Sequence, residues 1–417
     1  MSSFLQLILL LAIILLFAKA GGYLSTRLGQ PSVLGELIVG LVLGPSLLNI
    51  THLSWISDAH VEESIFHLGE LGVLMLMFLA GLELHLSDLA RNTRVSAFAG
   101  ILGVVVPVAL GGLAGELFGM DFNHAAFLGL TLGATSVSIS AQTLIELKVI
   151  RSRVGLGLLG AAVFDDVLVI LLLSTFLALV SGTGGVIQIL LVFLRMLAYL
   201  AVSTAFGLWL LPAITRRVAR LPISFGVVTL ALVVMFAYGL AAEVVGEMAA
   251  ITGTFLAGLM FARTPEKSDI EDGFRALAYS FFVPIFFVNI GLSVNIQTLE
   301  LDTLWFLLII SVIAVLGKIV GAGGGARLGK MSWRESLQLG IGMVSRGEVG
   351  LIVAQVGMNQ GYLSSDIFST IVGMVLLTTL VTPPMLRASF AQPKPQAELD
   401  DLQTKDKPEP KVDQEAQ

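Results

Sequence analysis

The sequence contains no cysteine and few charged residues, and both absences narrow the possible classes of protein. Without a thiol, the chain can form neither a disulfide framework nor a thiolate metal site. Charged residues make up 13% of the 417 residues, whereas soluble globular domains carry about 25%. Hydrophobic residues account for 56% of the chain, and the mean hydropathy is +0.91. This composition predicts an all-α membrane protein rather than a soluble domain.

The sequence also lacks the short motifs that mark common catalytic and nucleic-acid-binding sites. It has no P-loop, no G-x-S-x-G nucleophile motif and no H-E-x-x-H zinc motif. No nucleic-acid-binding signature is present either. We therefore expect neither an enzyme nor a nucleic-acid partner, and no cofactor is implied.

Thirteen apolar runs are predicted to cross a lipid bilayer, since a spanning helix needs about 20 residues. The predicted spans are 3–20, 31–50, 65–85, 95–118, 124–146, 155–180, 187–211, 223–241, 245–262, 274–297, 303–326, 335–359 and 364–388. The first run starts at Phe4 without a basic residue before it, which predicts a retained span rather than a signal peptide. The chain is therefore predicted to be polytopic.

Positive charge is confined to alternate connections between these spans. Lys and Arg follow the odd-numbered spans, and the connections after the even-numbered spans contain none. By the positive-inside rule, the N-terminus is predicted outside and the C-terminus in the cytoplasm, in a bacterial-type inner (plasma) membrane. Residues 391–417 are rich in Pro, Lys, Asp and Glu without an apolar face, so we expect a disordered cytoplasmic tail.

Two adjacent aspartates, Asp165 and Asp166, lie inside an apolar stretch, 154–174, that is long enough to span the membrane. A carboxylate near the middle of a membrane helix costs roughly 2.5–3.5 kcal/mol on insertion scales. Two such residues in a row therefore indicate a site for a cation or a proton.

Lys318 lies well inside another predicted span. An isolated ammonium is unfavourable in the membrane, so its expected partner is one of the two aspartates. Neighbouring helix residues point about 100° apart, so one aspartate can bind Lys318 while the other lines an aqueous cavity. An inert structural salt bridge is the alternative. The nearby Gly317, Gly321 and Gly325 form a small-xxx-small series, which favours close helix packing.

Polar residues interrupt spans five and twelve. Span five contains a run of hydroxyl side chains that includes Thr135 and Ser136, and span twelve contains Arg346 and Glu348. Hydroxyls and unwound backbone at such a break can ligate a hard cation, although Ser and Thr also bond their own helix. The charges of Arg346 and Glu348 can neutralise facing half-helix dipoles. Since the two spans run in opposite directions, they predict inverted repeats, spans two to six and nine to thirteen, with two crossed discontinuous helices.

Other ionisable residues in or near the predicted spans are expected to have simpler roles. Five glutamates lie near span ends, where solvated positions are expected: Glu36, Glu70, Glu83, Glu243 and Glu247. Arg195, in span seven, is expected to snorkel to the interface or to anchor it.

Several segments resemble the motifs of one transporter family. They are Gly-Ala-Ala-Val-Phe-Asp-Asp-Val at 160–167, Leu-Gly-Lys-Ile-Val-Gly at 316–321 and Ser-Arg-Gly-Glu-Val-Gly-Leu-Ile-Val at 345–353. These segments are similar to bacterial monovalent cation:proton antiporters of the NapA/NhaA/Kef-like group, and closest to the NapA-type sodium/proton antiporters. Residues 29–36 and 134–137 add to the likeness, which extends over nearly all of the predicted spans.

The resemblance implies a fold with two moving parts and a homodimeric assembly. Residues 1–390 would form one transmembrane domain. Its core would comprise spans at about 95–180 and 303–388, and its dimerisation part would comprise spans at about 3–85 and 223–297.

The resemblance also implies roles for individual residues. Asp166 would be the carboxylate that binds Na⁺, and Asp165 would pair with Lys318. Thr135 would belong to the unwound, ion-binding segment of span five, beside Ser136.

Arg346 and Glu348 would belong to the facing unwound segment of span twelve. Ser345 departs from the family pattern, because many relatives have proline at this position. A double aspartate goes with electrogenic sodium/proton exchange in this family, and an Asn-Asp pair with electroneutral exchange. No Kef-type regulatory domain is expected, which argues against a glutathione-gated potassium system.

These observations lead to a hypothesis of secondary active transport. Na⁺, with Li⁺ left open, would be exchanged for H⁺ by alternating access, because both ions compete for Asp166. A K⁺/H⁺ antiporter of the Kef-like branch shares every motif and is the main alternative. A sodium-coupled organic-anion symporter would not need the pairing of Asp165 with Lys318, and a membrane sensor would need an output domain.

Overall fold

The computed structural model describes residues 2–50, 59–84, 92–181, 186–292 and 301–391. Within these ranges the chain is helical and contains no strand. The predicted tail lies outside the described residues, apart from Ala391.

The helices follow the predicted apolar runs, because a backbone in lipid must satisfy its polar groups within its own segment. They are α1 (Ser3–Arg27), α2 (Ser32–Leu43), α3 (Ala59–Leu82), α4 (Thr93–Leu117), α5 (Phe122–Gly133), α6 (Ser138–Glu146), α7 (Arg153–Ser181), α8 (Val186–Trp209), α9 (Leu211–Val218), α10 (Gly226–Val244), α11 (Ala250–Phe261), α12 (Lys267–Leu277), α13 (Val283–Leu292), α14 (Leu301–Leu328), α15 (Trp333–Gly342), α16 (Glu348–Asn359) and α17 (Ser365–Phe390). A short π-helical segment, Ala278–Phe282, joins α12 to α13.

Ten helical segments of the described chain are long and apolar enough to cross a membrane. The pairs α5–α6 and α12–α13 each form one of these segments. Three shorter apolar helices, α2, α11 and the Val349–Met358 part of α16, lie where further spans are predicted. The predicted all-α polytopic class is therefore confirmed, whereas the number of thirteen spans stays a prediction.

The helices pack in two groups. Helices α4–α7 and α14–α17 pack mainly on one another, with the α4–α14 and α4–α5 contacts the most extensive. Helices α1–α3 and α10–α13 also pack mainly on one another, chiefly through the α3–α11 contact. Between the groups, α8 contacts both α7 and α11. The aspartate pair on α7 and Lys318 on α14 belong to the first group.

The glycine series beside Lys318 packs α14 directly against α4. A Cβ added to Gly321 would lie 2.4 Å from the carbonyl oxygen of Leu102, and one added to Gly325 would lie 2.2 Å from that of Phe98. No side chain fits at these distances. The small-xxx-small pattern thus brings the two backbones close together and fixes the position of Lys318 relative to α4.

We expect Gly325→Ala to lower the free energy of unfolding by about 1–3 kcal/mol, since the added methyl must displace the α4 backbone. The matched control is Gly324→Ala, because a Cβ at Gly324 meets nothing within 4 Å. That control should be neutral or should stabilise the helix by up to about 1 kcal/mol. Thermal unfolding of the purified protein in detergent measures both variants. Equal stability of the two variants would contradict the close packing of α4 and α14.

Candidate ion-binding site

Both predicted interruptions are present. α5 ends at Gly133 and α6 begins at Ser138, with residues 134–137 non-helical between them. α15 ends at Gly342 and α16 begins at Glu348, again with irregular backbone between them. Each break releases backbone N–H and carbonyl groups that need new partners inside a membrane protein.

The two interruptions lie against each other and exchange hydrogen bonds. The backbone N–H of Ser136 donates to the carbonyl oxygen of Ser345 at 2.9 Å, and the Ser345 hydroxyl donates back to the Ser136 carbonyl. The Ser140 hydroxyl donates to the carbonyl of Gly342 at 2.5 Å. A Cβ added to Gly347 would lie 2.6 Å from Cβ of Ser136, so only glycine permits this approach. The broken helices therefore cross and satisfy part of each other's released backbone.

Arg346 is fully buried at this crossing. Its guanidinium donates to the carbonyls of Gly133, at 3.3 Å, and Ala134, where α5 ends, and to the carbonyl of Ala314 on α14 at 3.3 Å. The hydroxyl of Thr379 on α17 donates to the Arg346 carbonyl at 2.6 Å. A cation at the C-terminal end of a helix lies at the negative end of its dipole. The position of Arg346 thus suits compensation of the α5 half-helix.

The first aspartate of the pair binds Lys318. Asp165 is 1% exposed and Lys318 is fully buried. Nζ of Lys318 donates to Oδ1 of Asp165 at 2.6 Å, and the Thr135 hydroxyl donates to the same oxygen at 3.0 Å. A buried charge requires both an opposite charge and further hydrogen bonds. Thr135 supplies one of these bonds from the break between α5 and α6, so the carboxylate joins three elements of the first packing group.

The second aspartate has a different partner. Asp166 is 6% exposed, and its Oδ2 accepts a hydrogen bond from the hydroxyl of Thr252 at 2.6 Å. Thr252 lies in the first turn of α11, in the second packing group. The two carboxylates thus accept hydrogen bonds from different helices, because successive helix residues point about 100° apart.

The other predicted site residues lie at the same crossing. Ser136 is fully buried, and its hydroxyl oxygen lies 2.9 Å from that of Ser138. Glu348 begins α16, but its side chain lies outside the described part of the structure. Among the described residues, no group of three or more His, Asp or Glu side chains is placed to hold a metal ion.

Sequence reasoning missed two threonines of the site, Thr252 and Thr379. Each is a single hydroxyl in an apolar helix, and such residues usually bond their own backbone. No local pattern distinguishes these two from the other membrane threonines. Only the tertiary arrangement brings them to the charged groups, since it places the start of α11 beside Asp166 and α17 beside the second interruption.

Two carboxylates that were predicted to be solvated are buried instead. Glu36 is 5% exposed, with Oε1 3.8 Å from Nζ of Lys19. Glu83 is 8% exposed and accepts a hydrogen bond from Arg275. The prediction is wrong because helix packing covers both positions and a basic residue supplies each partner.

The transmembrane part of the chain matches a known protein family over nearly its whole length. Residues 11–391 match the family model described as sodium/hydrogen exchanger, transmembrane. The chain belongs to the sodium/hydrogen exchanger family. It is thus a multi-pass membrane transporter, and the prediction that it is not an enzyme is confirmed.

Individual relatives of this exchanger agree with the family assignment. The chain is 42% identical over 380 residues to the Na(+)/H(+)-K(+) antiporter GerN of Bacillus cereus, covering 91% of this chain and 95% of that protein. It is 34% identical over 379 residues to a Na(+)/H(+) antiporter of Enterococcus hirae, covering 91% of this chain and 96% of that protein. The predicted resemblance to monovalent cation:proton antiporters is confirmed.

A solved structure shows the same fold. The sodium proton antiporter MjNhaP1 of Methanocaldococcus jannaschii superposes with a TM-score of 0.66 at 17% sequence identity. The match covers 93% of this exchanger and 97% of the other chain. The arrangement of helices is therefore shared even where the sequences have diverged.

Proposed function

We propose that this exchanger carries out electrogenic exchange of Na⁺ for H⁺ at a site formed by Asp165 and Asp166. The geometry of the two adjacent buried carboxylates at the crossing of two broken helices carries the proposal. Asp165 accepts from the ammonium of Lys318, whereas Asp166 accepts from the neutral hydroxyl of Thr252. Replacing a neutral hydrogen bond costs less than disrupting a buried charge pair. Asp166 is therefore the exchangeable site.

Exchange follows from competition for this one carboxylate. A proton and a sodium ion neutralise the same negative charge, so each ion displaces the other from Asp166. A buried carboxylate is unfavourable without either ion. The site therefore changes sides in an occupied form, which couples the two fluxes. One Na⁺ for one H⁺ at Asp166 moves no net charge, so electrogenic exchange requires a second proton. That proton is assigned to Lys318, which pairs with Asp165 and gives it up when Na⁺ draws Asp165 away.

The neighbouring charges hold the site in place. Lys318 balances the charge of Asp165 and holds its carboxylate until Na⁺ binds. Thr135 and Ser136 belong to the ion-binding segment of the first break. Arg346 compensates the end of α5. Glu348, the first residue of α16, is assigned the same role at the facing half-helix from its sequence position alone.

Alternating access is assigned to relative movement of the two packing groups. The core would be α4–α7 with α14–α17, and the dimerisation part would be α1–α3 with α10–α13. The support is that the helices of each group pack mainly on one another. Movement between the groups would expose the crossing to each side of the membrane in turn, and two copies would associate through the dimerisation parts.

The alternation of basic connections supports an orientation with the N-terminus outside and the C-terminus in the cytoplasm. The corresponding location is a bacterial inner membrane. No resident cofactor enters the proposal, because the transported ions are the substrates.

Potassium is the second candidate cation. The observation that favours it is the 42% identity to GerN of Bacillus cereus, which is a Na(+)/H(+)-K(+) antiporter. The carboxylate and hydroxyl oxygens of the site suit any hard monovalent cation, so selectivity needs a measurement.

The test is proton movement in inside-out vesicles from a host without its own antiporters. We expect Na⁺ to dissipate an imposed pH gradient, with Li⁺ and K⁺ added separately to define selectivity. Vesicles without the protein are the control. A response to K⁺ alone would select the second candidate, and a folded protein that responds to none of the cations would contradict the proposal.

A further inference from the structure

The hydrogen bond between Thr252 and Asp166 joins helices from different packing groups. α7 packs mainly on α4, whereas α11 packs mainly on α3 and α10. Oγ1 of Thr252 lies 2.6 Å from Oδ2 of Asp166, and the two residues are 5% and 6% exposed. A buried contact thus links the second group directly to the proposed ion-binding carboxylate.

The neighbouring Thr254 shows the ordinary behaviour of a membrane threonine. Thr254 is fully buried in the same helix, and its hydroxyl donates to the carbonyl of Ile251 at 3.0 Å. This bond to its own helix is the usual arrangement. Thr252 instead directs its hydroxyl to a carboxylate on another helix. Its place in the first turn of α11 also puts Asp166 near the positive end of that helix, which favours negative charge there.

We infer that Thr252 is a ligand of the transported cation, supplied to the Asp166 site by α11. This inference rests on the proposed function. A hydroxyl carries one proton and two lone pairs, and its proton rotates to suit its partners. In the structure the hydroxyl donates to Asp166. When a hard cation binds Asp166, the hydroxyl turns its proton away and presents its oxygen, without any movement of α11.

A ligand from the second group has a mechanical consequence. Because α7 and α11 lie in different groups, relative movement of the groups separates Thr252 from Asp166. The cation then has one oxygen ligand fewer than in the arrangement described here. Thr252 thereby makes ion affinity depend on the position of the core, and movement favours release.

Sodium-dependent proton movement in proteoliposomes, measured over a range of Na⁺ concentrations at fixed pH, tests this role. We expect Thr252→Val to raise the apparent KM for Na⁺ about tenfold, the effect of one lost contact to an ion. The maximal rate should stay within about twofold of wild type. Thr252→Ser keeps the hydroxyl and should restore the wild-type KM. Thr252→Ala also removes the hydroxyl but adds no methyl group in its place. It is therefore measured instead if Thr252→Val does not fold.

Thr254→Val is the matched control, because it removes a buried hydroxyl two residues away in the same helix. We expect its KM to equal that of wild type. An unchanged KM for Na⁺ in both Thr252→Val and Thr252→Ala would overturn the inference. A KM that rises as much in Thr254→Val as in Thr252→Val would also overturn it. If folded wild-type protein shows no sodium-dependent exchange, the proposed function fails together with the inference. Normal wild-type exchange with an unchanged KM in the Thr252 variants overturns the inference alone.

Discussion

Asp166→Asn is expected to reduce sodium-dependent proton movement to the level of vesicles that lack the protein. The amide has nearly the shape of the carboxylate and still accepts the hydrogen bond from Thr252. It carries no negative charge for a sodium ion, however, and it cannot take up and release a proton in the physiological range. Both halves of the exchange are therefore lost. The measurement is dissipation of an imposed pH gradient in inside-out vesicles after addition of Na⁺.

The control for this variant is a carboxylate near the end of a predicted span but outside the site. Glu247 forms an ion pair with Arg195, and its side chain is 34% exposed. Glu247→Gln should retain exchange, because the described structure shows no contact of Glu247 or Arg195 with the crossing of the broken helices. Matching amounts of folded protein in the membrane must be shown for both variants. Near-normal transport by Asp166→Asn would contradict the assignment of the exchangeable site.

Removing Lys318 alone is expected to destabilise the protein strongly. Lys318→Gln leaves Asp165 buried without its cationic partner, and breaking a buried ion pair from one side costs about 3–5 kcal/mol. Thermal unfolding in detergent should therefore occur at a clearly lower temperature. The double variant Asp165→Asn with Lys318→Gln removes both charges, so it should recover most of the lost stability. If Lys318→Gln alone is as stable as wild type, the pair does not have the energetic role assigned to it.

The same variants show whether Lys318 also takes part in transport. We expect the double variant to exchange Na⁺ for H⁺ with less charge moved in each cycle, because it lacks the Lys318 ammonium that would give up the second proton. Current recordings on proteoliposomes measure this charge movement. If the stable double variant gives wild-type currents, the role of Lys318 is only structural, as the partner of Asp165.

The pairing of Asp165 with Lys318 shows what the sequence alone can predict. The two residues are 153 positions apart, and no periodic pattern connects them. Their charges nevertheless lie in apolar spans, where few other partners exist, so electrostatics selects the pair. The two helix breaks were predictable for a related reason, because runs of hydroxyls, charges and glycines inside a membrane span disfavour an uninterrupted apolar helix.

The partner of the Thr252 hydroxyl could not be predicted from the sequence. Thr252 and Thr254 lie in the same short apolar helix, and their immediate sequence context is alike. One hydroxyl binds its own helix and the other binds Asp166. The difference depends on which threonine at the start of α11 lies beside Asp166, and the tertiary arrangement decides that. The buried positions of Glu36 and Glu83 were missed for the same reason.

The number of spans, their orientation and the division into moving parts remain predictions. The predicted spans at 31–50 and 245–262 contain α2 and α11, which are shorter than the long spanning helices. The length of a short helix beside a turn does not show whether that segment of the chain crosses the bilayer. Labelling of single cysteines in the connections would settle the orientation, and the native chain has no cysteine to interfere.

Proton release by purified protein on addition of Na⁺ tests the central claim most directly, because the claim is that both ions share Asp166. In weakly buffered detergent solution, we predict that Na⁺ releases protons from wild-type protein and that Asp166→Asn removes this release. Sodium binding without proton release would contradict a shared site. If Asp166→Asn still releases protons as wild type does, Na⁺ and H⁺ compete at another residue.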